Sequence, residues 1–314
     1  MLSVFLATVS PMLMMFLCIV IGFVLNRKKL LPENAATVLS KLESYVLVPA
    51  LIINNFIKYC TISSLAEQYK MILYALIAVL VSLGLAYLLA GRFAKEPYQK
   101  NIYKYALTFG NCGFMGNAIV PEIFGEEALY SYLLYTLPLY VVIYTWGISI
   151  LTPQGETRKN PLKQLLNPTC IALAIGIVLG LLGAEAVVPS FVLSALGSLS
   201  SCMGPVAMIL TGFVIGNYRV SKLLTNKKVY IASAYRLLLW PTVLLAFLWL
   251  IGADQQTLVL SLIAFATPLG LNTVVFPAAY GGDTSTGASM ATISHALCVI
   301  TIPLLYAAFT TIFA

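Results

Sequence analysis

The sequence predicts an all-α polytopic membrane protein: ten transmembrane helices arranged as a 5+5 inverted repeat, with helices 4 and 9 broken and crossed. Three observations predict this. The 314 residues are 60% hydrophobic and 9% charged, with a mean hydropathy of +0.94, against about 25% charged residues in a soluble domain. Basic residues recur in alternate loops. Prolines and glycines repeat at a separation of half the chain.

A membrane span needs about 20 mostly apolar residues. The stretches that meet this are 3–25, 36–57, 71–91, 104–124, 128–151, 168–184, 188–216, 229–251, 256–279 and 287–312. The first is followed by Arg27, Lys28 and Lys29 instead of being preceded by basic residues, so it reads as a retained anchor and not a signal peptide. The second carries Lys41 and Glu43 near its start, and the sixth is short. The longest hydrophilic run, Thr152 to Gln164, is only a loop. The chain is therefore expected to form one membrane domain over 1–314, with repeat 1 at 1–152 and repeat 2 at 163–314.

Loop charge sets the orientation. Basic residues follow span 1 (Arg27, Lys28, Lys29), span 3 (Arg92, Lys95, Lys100), span 5 (Arg158, Lys159, Lys163) and span 7 (Arg219, Lys222, Lys227, Lys228). The loops after spans 4, 6 and 8 carry none, and span 2 is followed only by Lys58 and Lys70 at the loop edges. Odd spans then run from outside to inside across the cell membrane, and both termini lie outside. Tyr130, Tyr132 and Tyr135 read as an outer aromatic belt.

Pro49 and Pro205 are separated by 156 positions, as are Pro121 and Pro277, Phe109 and Phe265, and Gly125 and Gly281. "GNCGFMGNAIVPEIFG" at 110–125 thus pairs with "ATPLGLNTVVFPAAYGG" at 266–282. An odd number of spans per half inverts the second half, and in secondary transporters such repeats bring broken helices together at the bilayer midplane. Gly113 and Gly116 flank the centre of span 4, and Pro268 and Gly270 sit near that of span 9. Glycine costs about 1 kcal/mol against alanine inside a helix, and proline removes a hydrogen bond. Unwound backbone at this depth is tolerated only beside a wet cavity or within protein. Each break exposes the N-terminus of a second half-helix, with free N–H groups and a positive dipole end that suit a carboxylate. Asn117, Asn272 and Thr273 are N-cap residue types near those starts. The expected substrate-binding set at the crossover is Asn111, Cys112, Gly113, Gly116, Asn117, Thr267, Pro268, Asn272 and Thr273. On the facing spans Pro49 and Pro205 form kinks, with Tyr45, Ser200 and Ser201 beside them as cavity candidates.

Glu43 reads either as a carrier of a coupling proton or as a side chain that snorkels, with Lys41, to the interface. His295 reads as a proton relay, a substrate donor or a neutral packing residue. Arg236, early in span 8, is expected at the cytoplasmic headgroups, and Asn54, Asn55 and Asp283 as caps. The net charge of +7 lies in loops, where topology accounts for it without nucleic acid. The six cysteines are scattered, without CxxC or Cys/His spacing, and read as packing residues; with one histidine no metal site is expected. No cofactor is expected beyond H+ or Na+ as a coupling ion, and the absence of a nucleotide-binding motif excludes ATP coupling within this chain.

"NCGFMGN", "YGGD" after span 9 and "HALCVITIPLL" in span 10 resemble the auxin efflux carrier family of bacterial transporters, part of the bile/arsenite/riboflavin transporter-like superfamily. The resemblance covers essentially the whole chain. It implies a scaffold of spans 1, 2, 6 and 7, a moving core of spans 3–5 and 8–10, elevator-like alternating access, and a homodimer through the scaffold. It also implies a small organic anion as substrate, such as malate or malonate. The family's NxGFxGxP pattern matches Asn111, Gly113, Phe114 and Gly116, with Ala118 where the proline is expected. The long central loop of plant members is lacking, which speaks against auxin itself. A sodium–proton antiporter on the same architecture is the alternative, and it requires a carboxylate at the crossover. An intramembrane serine protease would have only "GASM" and His295 to work with.

Overall fold

The computed structural model describes residues 2–153, 165–279 and 282–313. Among these the secondary structure is helical apart from one isolated antiparallel bridge, between Gly110 and Leu269. Arg158, Lys159 and Lys163, and the repeat partners Tyr280 and Gly281, lie outside the described residues.

The helices are α1 (Leu2–Arg27), α2 (Ala35–Leu42), α3 (Val48–Tyr59), α4 (Ile62–Phe93), α5 (Pro97–Thr108), α6 (Asn117–Phe124), α7 (Glu126–Val142) and α8 (Ile148–Leu151). After the second described stretch begins come α9 (Pro168–Leu181), α10 (Ser190–Gly216), α11 (Val220–Leu223), α12 (Lys227–Ala234), α13 (Trp240–Leu250), α14 (Gln255–Ala266), α15 (Asn272–Ala279) and α16 (Ser285–Ile312). Four π-helical segments interrupt otherwise continuous rods: Glu43–Leu47 joins α2 to α3, Cys112–Gly116 leads into α6, Ile143–Gly147 joins α7 to α8, and Tyr235–Leu239 joins α12 to α13. A π segment re-aims the side chains around it and is frequent at functional sites.

Seven helical rods are long and apolar enough to cross a membrane: Val4–Arg27, Ala35–Tyr59, Ile62–Phe93, Glu126–Leu151, Ser190–Gly216, Lys227–Leu250 and Ser285–Ile312. Three shorter apolar helices accompany them, Cys112–Phe124, Pro168–Leu181 and Gln255–Ala266. The molecule is a multi-pass membrane protein. Leu6, Leu13 and Leu17 on α1, and Leu73, Leu80 and Leu88 on α4, are exposed, as a hydrocarbon solvent requires.

Small residues decide which helices touch, because apolar side chains gain little from leaving lipid and close backbone approach must supply the packing. The α1 and α10 backbones meet at Gly22 and Gly212: a Cβ on either would overlap backbone atoms around Ile209 or Ile19 of the other helix. α9 lies on α3, with Gly176 and Gly180 against Phe56. Elsewhere α4 packs on α5 and α7, α6 on α7, and α16 on α12 and α14.

The tyrosines of α7 are not an outer belt. Tyr130, Tyr132 and Tyr135 are buried, with hydroxyls bonded to Ser64 (3.0 Å), the Cys112 carbonyl (3.1 Å) and Ser261 (3.0 Å). Spacing accounts for Tyr132, which with Thr136, Tyr140 and Tyr144 recurs every four residues along one stripe; Tyr130 and Tyr135 are held inward by Ser64 and Ser261. Nor are Asn54 and Asn55 caps. Both are buried within α3, and Asn55 donates to the Leu51 carbonyl at 3.1 Å. Asp283 does cap, accepting from the Ser285 N–H at 2.9 Å.

Candidate functional site: a cavity at the helix crossover

Two stretches lose helical structure in mid-chain. Between α5 and the Cys112–Gly116 segment the backbone is extended at Phe109 (φ −117°, ψ 136°), and between α14 and α15 it is extended at Thr267 (φ −61°, ψ 149°). The two openings face each other. The Gly110–Leu269 bridge pairs them, and the Asn111 N–H donates to the Pro268 carbonyl at 2.7 Å. Backbone groups that helices would satisfy internally are thus satisfied across the crossing, as burial demands. The approach is close enough to require glycine at 110, where a Cβ would overlap Thr267.

The breaks place side chains differently from the sequence expectation. The first opens at Phe109–Asn111, about two turns before Asn117, so Asn117 is inside helical backbone (φ −61°, ψ −27°) and caps nothing. Its amide is buried and donates to the Tyr140 hydroxyl at 3.3 Å. Gly116 is a packing residue, since a Cβ there would overlap the Tyr132 hydroxyl. Thr267 and Thr273 turn their hydroxyls back to the carbonyls of Ala264 (2.9 Å) and Gly270 (2.8 Å), and Pro268 contributes a carbonyl to the crossing, not a surface to the cavity.

A cavity of about 270 Å³ opens in front of the crossing. One wall is the crossing and its neighbour: Gly110, Asn111, Cys112 and Gly113 from the first break, Asn272 at the start of α15, and Tyr140 and Tyr144. The opposite wall is Ser40, Ser44, Tyr45 and Val48 on the α2–α3 rod, with Asn167, Pro168 and Thr169 at the start of α9. Of the expected binding set, Asn111, Cys112, Gly113 and Asn272 line this cavity, whereas Gly116, Asn117, Thr267, Pro268, Thr273, Pro49, Pro205 and Ser201 do not. Tyr45 lines it as expected. Ser201 is exposed and bonds back to the Gly197 carbonyl at 3.0 Å, because α10 turns its small-residue face to α1 and so carries Ser201 outward. Pro49 follows the Glu43–Leu47 π segment inside the continuous α2–α3 rod, one residue past cavity-lining Val48.

The polar groups of the cavity wall are oriented from behind. His295 Nδ1 lies 2.7 Å from the Ala291 carbonyl. A carbonyl only accepts, so Nδ1 carries the proton and the neutral ring's Nε2 accepts from the Asn111 amide nitrogen at 3.1 Å. His295 therefore fixes the Asn111 amide and does not itself line the cavity. The Asn272 amide donates to the Tyr105 hydroxyl at 2.8 Å, and Tyr144 meets Thr169 at 3.2 Å across the two walls. Among the described residues no Asp, Glu, Lys or Arg lines the cavity.

Two charged-type residues are buried away from it. Glu43 is fully buried and neither carboxyl oxygen has a hydrogen-bond partner, which overturns its snorkelling to the interface. The π segment that begins at Glu43 packs on α9 and α10, and its Ser44 and Tyr45 line the cavity. Arg236 is also fully buried, not at the headgroups, and Nε, Nη1 and Nη2 all lack hydrogen-bond partners. Its guanidinium lies over the Phe265 ring, 5.2 Å from the centroid. Sequence reasoning missed its placement. The usable signal was a cation seven residues inside an apolar stretch, which marks function by default.

The membrane transport protein family profile matches residues 7–306. An uncharacterized transporter of Methanothermobacter thermautotrophicus is 23% identical over 217 residues, covering 69% of this chain and 70% of that one. An uncharacterized transporter of Methanocaldococcus jannaschii is 26% identical over 204 residues, covering 64% and 66%.

Proposed function

The chain belongs to the membrane transport protein family, that of the auxin efflux carriers, and from that premise we propose that it is a secondary transporter of a small organic anion, a carboxylate of about the size of malonate or malate. The solute binds in the cavity at the crossing, and access alternates by an elevator-like displacement of the crossing against the α2–α3 rod. The observation that carries this reading is the cavity's position. It lies between two bodies, with the crossing and Tyr140/Tyr144 on one side and the α2–α3 rod with the start of α9 on the other. A solute held there touches both, so sliding one wall past the other would carry it across the membrane.

The same reading takes the chain as ten passes in a 5+5 inverted repeat in the cell membrane, with both termini outside. It is supported by the two breaks, which fall at corresponding places when the halves are offset by 156 residues: Phe109 and Thr267 open within two residues of each other on that scale. The packing of α1, α2–α3, α9 and α10 on one another supports a scaffold, and that of α4–α8 and α12–α16 a core. A carboxylate is favoured over a cation because the cavity wall offers amides, hydroxyls and a half-helix start at Cys112 but, among the described residues, no Asp or Glu. The same lack disfavours a sodium–proton antiporter. Glu43, a buried carboxyl without partners, is the proposed carrier of a coupling proton.

Uptake of labelled malonate and malate into proteoliposomes tests the reading. Saturable uptake that also runs as counterflow is expected, and Asn272→Ala should weaken it about tenfold, the cost of one hydrogen bond to a charged group. A Glu43→Gln carrier should lose its response to an imposed pH gradient yet keep counterflow. Carboxylate flux that is absent or unsaturable would refute the function; an undiminished pH response in Glu43→Gln would refute the proton role.

A further inference from the structure

Arg236 stands immediately behind the crossing. A Cβ built on Gly110 would lie 2.9 Å from its Nη2, and Gly110 itself lines the cavity. One residue's backbone therefore separates a guanidinium from the space a solute would fill. The guanidinium is fully enclosed, stacked on Phe265, with none of its three nitrogens hydrogen-bonded among the described residues. Its position is built: the Tyr235–Leu239 π segment departs from the helix at this point, and the non-helical Phe109–Asn111 backbone lies beside it. A buried, unpaired cation is costly, and an anion one residue away is the partner that would offset that cost across a poorly screening interior. Half-helix ends supply fractional charge that falls off within a turn, whereas Arg236 supplies a whole one.

Resting on the anion-transport reading, we propose that Arg236 is the charge-selecting residue of the crossing: it makes the cavity prefer an anion over a neutral solute of the same shape, acting through the Gly110 backbone without touching the solute. The bound solute's negative charge and Arg236 then balance within the core.

The test compares malonamate, which has one carboxylate and one amide, with neutral malonamide of nearly the same size. Binding is read as thermal stabilisation of the full purified chain. Wild type is expected to bind malonamate at least tenfold more tightly. Arg236→Gln should bind malonamide as wild type does but reduce the preference to less than about twofold. Arg236→Lys, which keeps the charge, should keep most of the preference. The Gln variant should still melt cooperatively before ligand is added, since no hydrogen bond is lost and only the Phe265 contact goes. A folded Gln variant that still prefers malonamate overturns the proposal and leaves anion transport standing. Loss of all binding in both variants also overturns it, because that marks a packing role. Absence of any preference in wild type overturns this proposal together with the anion reading.

Discussion

At the scale of single residues, the site is held by pairings between amides and groups behind them. His295 orients Asn111, Tyr105 orients Asn272, and Tyr140 takes the Asn117 amide. Gly116 serves this arrangement by making room for the Tyr132 hydroxyl, which in turn reaches the Cys112 carbonyl. Gly116→Ala is therefore expected to destabilise the protein by about 1–3 kcal/mol, the usual cost of overpacking. Removing the obstructing oxygen with Tyr132→Phe in the same chain should recover a large part of that loss. Thermal melts of the two single variants and the double variant would show the recovery as non-additivity; simple additivity would place the role of Gly116 elsewhere. The amides at 111 and 272 were legible as cavity-lining residues because few other reasons exist for amides beside helix breakers in an apolar stretch. The tyrosines were not, since a tyrosine near a span end suits a lipid interface as well as a buried stripe. Partners distant in sequence, Ser64 for Tyr130 and Ser261 for Tyr135, distinguish the two.

At the scale of elements, the breaks and π segments share one purpose, which is to release a side chain or carbonyl from the regular helical screw. The extended backbone at Phe109 and Thr267 lets two chains pair across the crossing. The π segments place Glu43, Cys112, Tyr144 and Arg236 where continuous helix would not. Gly110→Ala should break the crossing because its methyl has no space against Thr267. Transport should fall at least tenfold and the melting temperature should drop by several degrees, consistent with a few kcal/mol of overpacking. Wild-type flux in that variant would show that the crossing tolerates separation. Pro268 and Gly270 mark the second break where it opens, whereas the first opens at Phe109–Asn111, ahead of Gly113 and Gly116. Glycine permits a break anywhere nearby, and pairing with the partner strand selects where it opens. The π segments have no comparable composition signature, so the inward turn of Glu43 and Arg236 was not legible.

At the scale of the whole molecule, helix packing follows the small residues. Gly22 and Gly212 hold α1 against α10, and this contact fixes the rotation of α10 and turns Ser201 outward. That rotation depends on a partner about 190 residues away in sequence, which is why a kink at Pro205 gave no sound basis for placing Ser201. Seven of the expected spans, by contrast, match long apolar helices among the described residues, because hydropathy alone marks them, although the third begins at Ile62 and not at 71. What remains functional at this scale is the seam between the α2–α3 rod and the crossing. The most direct test labels a single cysteine placed at Ser44, in a chain otherwise free of cysteine, with a charged methanethiosulfonate in proteoliposomes. Saturating malonate should slow labelling at Ser44→Cys severalfold and leave an outward-facing Ser201→Cys control unchanged. Equal labelling at Ser44→Cys with and without malonate, in vesicles that take malonate up, would contradict the account.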